Sequence, residues 1–326
     1  MIGIFKQKNS TNALVLVVYA LLLKFSIFLH PVLPVLHKED NYLYRFIVNG
    51  INSLSHQAAF PYAVLSFLLL FTQAILFNSI CNYHRILPKP NYLPGMSYLL
   101  VTSLLPDWNH FSAPLLLNSI MIWCLYRMIA LYNSNKPVTA IFNIGLLAGL
   151  ATLLYIPAVA FVLMVLFALI IMRPFRLQEW LVGFLGFTSP YYFLLFILYF
   201  TNQLNWKNVL PKIIFTLPAL PTSIWTTLGL VLLVVPFMIG GYFVQNNLNK
   251  MLIQGRKSWS LILVFLIVAV IVILLNKADS YENWIVTAVP FAAFHAAAYY
   301  YPTNKVMPQV LHWLCFSLIV WENYFL

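Results

Sequence analysis

The sequence predicts an all-α, polytopic integral membrane protein: a bundle of about eleven transmembrane helices with an amphipathic helix lying in the interface after the first. Three observations predict it. Of 326 residues, 62% are hydrophobic and 8% charged, with a mean hydropathy of +0.87, whereas a soluble chain carries about a quarter charged residues. Apolar stretches near or above about 18 residues recur along the chain, and a helix needs about 20 to cross the hydrocarbon. Among 9 Trp and 19 Tyr, many sit where apolar runs end, at the depth of the lipid headgroups. The spans are helices because lipid offers the backbone no hydrogen-bonding partner.

The first span covers about 13–33. Lys24 interrupts its apolar run, and His30-Pro31-Val32 offers no small-residue cleavage site, so it is expected to be an uncleaved span and not a signal peptide. Between His37 and Gln57, the residues Leu43, Phe46, Ile47, Ile51 and Leu54 share a helical face, with Asn41, Arg45, Asn49 and Asn52 elsewhere. That is the pattern of an interfacial helix over about 41–56. Spans at about 59–80, 92–105 and 112–131 follow, the second of them short. The 35-residue apolar run 138–172 is too long for one crossing, and Tyr155-Ile156-Pro157 supplies a turn that makes it two spans. The seventh span covers about 180–200, and an outer loop at 201–221 precedes spans at about 223–244, 259–275, 285–301 and 306–322. The chain divides into a module of seven spans over residues 1–220 and C-terminal membrane helices over 221–326.

Charge tests this map. With the N-terminus cytoplasmic, Lys6, Lys8, Arg85, Lys89, Arg127, Lys136, Arg173, Arg176, Lys250, Arg256, Lys257 and Lys305 fall inside, against Lys38, Arg45, Lys207, Lys212 and Lys277 outside. This agrees with the positive-inside rule and places the chain in an inner (plasma) membrane. The net charge of +11 therefore reflects orientation, and because the basic residues are scattered between spans, no nucleic-acid partner is expected. Of the seven carboxylates, only Glu179 faces in; Glu39, Asp40, Asp107, Asp279, Glu282 and Glu322 share the outer face.

Candidate chemistry lies at that outer face. Asp40 stands between the first span and the interfacial helix, and Asp107 at the mouth of the short third span. A carboxylate there could deprotonate an acceptor hydroxyl or hold a divalent cation bridging phosphate oxygens. Glu39, Arg45, His110, Lys207 and Lys212 are candidate substrate-binding groups, the cations suiting a phosphate or pyrophosphate. Lys24, charged within a span, either snorkels, pairs with a carboxylate, or serves a polar path. His295 and His312 read as helix-to-helix hydrogen bonds, and Cys81, Cys124 and Cys315, without CxxC spacing, as packing residues. No histidine pair stands at metal-binding i, i+4 spacing, and phosphate-loop, GxGxxG and GxSxG motifs are missing, which disfavours nucleotide hydrolysis and serine-hydrolase chemistry.

The order of parts resembles the C-type glycosyltransferases, polytopic enzymes that take sugars from polyprenyl-phosphate carriers on the extracytoplasmic face. Asp40 before the helix Leu43–Leu54 is similar to their acidic first outer loop. Leu104-Leu105-Pro106-Asp107-Trp108-Asn109-His110 leading into Pro114-Leu115-Leu116-Leu117-Asn118 is similar to the second, and Gly145-Leu146-Leu147-Ala148-Gly149 through Pro157 to their paired short spans. The likeness covers about residues 13–220. It implies catalytic roles for Asp40 and Asp107 and a lipid-linked sugar donor in cell-envelope glycan assembly. Departures are the reversed order Glu39-Asp40 and the lack of a large periplasmic domain. Arg173-Pro174-Phe175-Arg176-Leu177-Gln178-Glu179-Trp180, followed by Gly186-Phe187-Thr188-Ser189-Pro190, also resembles an uncharacterised family of Bacteroidota inner-membrane proteins. Two other functions stay open: a non-enzymatic subunit of an envelope complex, with membrane-protein partners, and a lipid or solute transporter. Membrane lipids are partners in each case.

Overall fold

A computed structural model describes residues 2–7, 9–202, 215–216, 221, 223–275 and 281–324. Among them the chain is all-helical, with 14 α-helices and no strand. In order these are α1 (Ile2–Phe5), α2 (Ser10–Lys24), α3 (Ser26–Leu29), α4 (Tyr42–Ser55), α5 (Phe60–Tyr83), α6 (Leu93–Val101) and α7 (Ala113–Ala130). Then come α8 (Pro137–Leu154), α9 (Phe161–Met172), α10 (Leu177–Phe200), α11 (Ile224–Asn247), α12 (Ile253–Leu274), α13 (Ala288–Tyr300) and α14 (Val306–Tyr324).

Six helices are long and apolar enough to cross a membrane: Phe60–Tyr83, Ala113–Asn133, Pro137–Leu154, Leu177–Phe200, Ile224–Lys250 and Ile253–Leu274. Each coincides with an expected span. The other expected spans fall on shorter helices, except the last, the 19-residue α14, which is long enough but less apolar. The first breaks after Lys24 into α2 and α3, and 92–105 holds the nine-residue α6, every residue of which is buried. At about 1.5 Å per residue, α6 reaches roughly half the hydrocarbon thickness. It is an internal helix, enclosed by α5 and α13. The turn expected at Tyr155-Ile156-Pro157 is present: α8 ends at Leu154, and a 3₁₀ turn over Ile156–Ala160 starts the return through α9.

The tightest packing joins α8 to α10. A Cβ on Gly145, Gly149 or Gly186 would collide with backbone of the facing helix, the close approach that small residues allow where lipid gives no hydrophobic drive for association. Lipid-like surroundings are written on α10 and α11, which leave Phe193, Phe196, Ile197, Val231, Val234 and Met238 exposed. Helix α13 packs against α6 and α12 against α9.

Helix α4 matches the expected amphipathic helix in position. Asn41 caps it by accepting from the Tyr42 N–H at 2.8 Å, and it ends where His56 takes a left-handed backbone. Its apolar residues divide. Tyr44 and Val48 are buried against the protein, while Phe46 and Leu54 stay exposed, as suits a helix lying between protein and lipid headgroups. Tyr62 of α5 ties it down, donating to the Val48 carbonyl at 3.1 Å and contacting Asn52 Oδ1 at 2.7 Å.

Polar contacts segregate into two ends of the bundle. At one, Lys6 Nζ donates to the Tyr300 carbonyl, Trp259 Nε1 to the Ile86 carbonyl, and Lys257 lies over the Tyr132 ring. At the other, residues 37–41, 106–111, 152–156 and 281–285 meet. The helices run antiparallel between a cationic and an acidic end, as the alternation of charge along the sequence requires.

Candidate functional site at the acidic end

Residues 39–41 and 154–156 run beside each other as a short antiparallel bridge. The Asn41 N–H donates to the Leu154 carbonyl at 3.0 Å and the Ile156 N–H to the Glu39 carbonyl at 2.9 Å. The Asn41 amide adds a bond to the Thr152 carbonyl at 2.7 Å. Within this knot Asp40 is 4% exposed, and its Oδ2 accepts from the His37 N–H at 2.7 Å. Burial lifts the Asp40 carboxyl to about 6, against the opposing pull of that N–H and of His37. Such a group holds or releases a proton near neutrality, which general-base work requires.

Arg45 folds back over the same loop: Nε donates to the Asp40 carbonyl at 2.9 Å and Nη2 to the His37 carbonyl at 2.7 Å. Its guanidinium therefore braces the chain. Glu39 is half-buried, its carbonyl engaged in the bridge.

The second expected carboxylate, Asp107, sits in the 3₁₀ turn Pro106–Asn109 before α7. Tyr281 fixes this turn from across the sequence, its backbone hydrogen-bonding the Asp107 carboxylate while its carbonyl accepts from Trp108 Nε1 at 2.9 Å. The next residue, Glu282, lies 3.7 Å from His37 Nε2. Glu282 is the element that sequence reasoning left out of the site. Its charge raises both Asp40 and Asp107, in each case adding to the larger effect of burial, and its hydrogen bond to His37 raises that imidazole. The two expected carboxylates thus share one electrostatic environment through a third. The only signal in the sequence was its place in the outer-face acidic set.

Lys24 is fully buried, and its Nζ donates to the Thr102 carbonyl at 2.8 Å and to Asn109 Oδ1 at 2.6 Å. It neither snorkels nor pairs with a carboxylate. Among the described residues the ion pairs are His37–Glu282 and Arg173–Glu179. Lys24 fastens α2 to the turn that carries Asp107 and His110. Lys207 and Lys212 lie outside the described residues. Among those described, no three His, Cys, Asp or Glu side chains come together as a metal site. His295 and His312 are helix contacts, to the Leu233 carbonyl at 2.8 Å and the Tyr19 hydroxyl at 3.1 Å, and the three cysteines are buried and free.

Beside the turn opens a cavity of about 460 Å³ between α3, α5, residues 106–111 and the C-terminal end of α14. His110 lines it together with His30, Ser66, Asn109, Glu322 and Asn323. Ser66 Oγ, Glu322 Oε2 and Asn323 Nδ2 are buried atoms without a hydrogen-bonding partner among the described residues.

The chain belongs to a protein family of unknown function (DUF6427), which matches residues 41–325. No curated protein and no solved structure matches it.

Proposed function

We propose that this protein is an extracytoplasmic-facing, glycosyltransferase-like membrane protein that handles a sugar carried on a polyprenyl phosphate during cell-envelope glycan assembly. The observation that carries the reading is that the loop of Asp40 and the turn of Asp107 both meet residues 281–282, through His37–Glu282 and Trp108–Tyr281, with the Asp40 carboxyl lifted to about 6. A transfer reaction needs a base for the acceptor hydroxyl and a place for the donor's head beside it. Asp40 or Asp107 supplies the first and the neighbouring polar cavity the second.

The asymmetry of cations supports an inner-membrane location with a cytoplasmic N-terminus, as does the resemblance to Bacteroidota inner-membrane proteins. Six long helices make the principal crossings, and the short, enclosed α6 does not complete one. Residues 1–220 form the transferase-like module. Lys207 and Lys212 are assigned to the carrier's phosphate.

The test is complementation. In cells deleted for this chain, surface glycans profiled by mass spectrometry are expected to lose a component that the wild-type chain restores. The Asp40→Ala/Asp107→Ala variant, at wild-type abundance in the membrane, is expected not to restore it; full restoration contradicts the reading. A second reading is favoured by the hydrogen bonds that Arg45 and Lys24 make to the protein itself: a non-enzymatic subunit of an envelope complex. It predicts stoichiometric co-purification with other membrane proteins and tolerance of the double substitution.

A further inference from the structure

The cavity beside His110 presents three buried polar atoms whose needs differ. Glu322 Oε2 is an acceptor when ionised, Asn323 Nδ2 is a donor, and Ser66 Oγ, on a residue 1% exposed, is both; none has a partner among the described residues. Leaving such groups buried and unpaired costs about 1–3 kcal/mol each, so three at one cavity mark a place where water, or a ligand that displaces it, completes the bonding. Chemistry narrows the ligand. A phosphodiester offers acceptors alone and leaves Glu322 Oε2, when ionised, without a donor. An ammonium offers donors alone and leaves Asn323 unsatisfied. An acyl chain satisfies none of the three. Hydroxyl groups on neighbouring carbons donate and accept together and satisfy all of them.

The walls agree. Tyr62, Phe111 and Tyr324 give apolar surface for the C–H faces of a ring, and among the described residues no lysine or arginine lines the space, Lys24 stopping behind Asn109. The volume of about 460 Å³ falls within the range of roughly 300–1,000 Å³ found for small-molecule sites. We propose that this cavity binds the hydroxyl-rich head of a neutral glycoside, with Glu322 accepting from, Asn323 donating to, and Ser66 bridging its hydroxyls. The inference rests on the transferase reading only in so far as it locates the sugar of that substrate; binding is separable from transfer.

The experiment uses the full chain in phosphatidylcholine nanodiscs prepared without sugar detergents. The probe is an alkyl β-D-glucoside with a photoreactive diazirine next to the sugar. Labelling is expected in peptides containing 26–32, 62–66 or 322–324, and to fall at least tenfold in Ser66→Phe, which fills the cavity, and in Asn323→Leu, whose half-buried position keeps the test alive should the first variant fail to fold. Competition by methyl β-D-glucoside identifies a free sugar as the ligand, and competition by octyl β-D-glucoside alone identifies a lipid-borne one. The proposal is overturned by equal labelling with a matched phosphocholine probe, by labelling spread over the exposed faces of α10 and α11, by indifference to both substitutions, or by failure of both competitors. Labelling that persists in an Asp40→Ala/Asp107→Ala chain that still restores the glycan contradicts the transferase reading alone. Absent labelling with that double variant inactive contradicts the cavity alone.

Discussion

Two polar regions share the acidic end of the bundle and differ in what their side chains have left to offer. In the knot around Asp40, nearly every donor meets an acceptor: Arg45 braces two carbonyls, Asn41 bonds on both sides of its amide, and Lys24 holds the turn below. In the cavity beside it, Ser66, Glu322 and Asn323 hold buried atoms that meet no hydrogen-bonding partner among the described residues. The contrast teaches that charge marks a site poorly. The knot holds the charges that stand out in the sequence, and most of them build the scaffold; the neighbouring cavity, lined by two serines, two asparagines, two histidines and one glutamate, holds unused bonding capacity.

Substitutions can break or sharpen this contrast. The largest effect is expected at Lys24. Lys24→Met keeps the volume yet strands the Thr102 carbonyl and Asn109 Oδ1 in a buried place, and should destabilise the fold by about 3 kcal/mol in reversible unfolding from bicelles. A neutral outcome would show that its bonds are not structural.

Next comes Asp40, through pH. Its carboxyl stands at about 6 in the folded chain, against about 3.9 for an unperturbed aspartate. A raised folded value means that the folded state holds the proton more tightly. Its contribution to stability is therefore fully present below about pH 4 and lost as pH rises through about 6. Wild type is expected to lose about 3 kcal/mol relative to Asp40→Asn across that window; parallel pH profiles would contradict the burial of this carboxyl.

Arg45→Ala should cost about 1 kcal/mol, since its two bonds are at least partly open to solvent. The smallest effect has the opposite sign. Ser66→Ala removes a buried hydroxyl without a partner and should leave the ligand-free protein unchanged or more stable by about 0.5 kcal/mol. A loss above about 1 kcal/mol would place Ser66 among the satisfied groups.

How much of this was legible in the sequence follows from which forces are local. Composition and run length gave the helical membrane class, the 3.6-residue periodicity over Leu43–Leu54 gave α4, and Pro157 gave the break between α8 and α9. The enclosed helices were not legible as such. A helix surrounded by protein and one surrounded by lipid are both apolar all round, so α6 and α13 read as spans although one is nine residues long and both are buried almost throughout. Asp40 and Asp107 were legible as acidic residues of one face. Their common neighbour Glu282 was not, because tertiary packing alone brings it from 242 positions beyond Asp40 and 175 beyond Asp107, and the cavity depends on the end of α14 meeting α3 and α5.

Every role assigned to the acidic end requires that it face away from the cytoplasm. The most direct measurement is cysteine accessibility in whole cells, with Cys81, Cys124 and Cys315 replaced by alanine and a membrane-impermeant maleimide added outside. Lys38→Cys, beside the Asp40 knot, is expected to label in intact cells, and Arg256→Cys, at the cationic end, only after permeabilisation. Labelling of both in intact cells, or of Arg256→Cys alone, would contradict it.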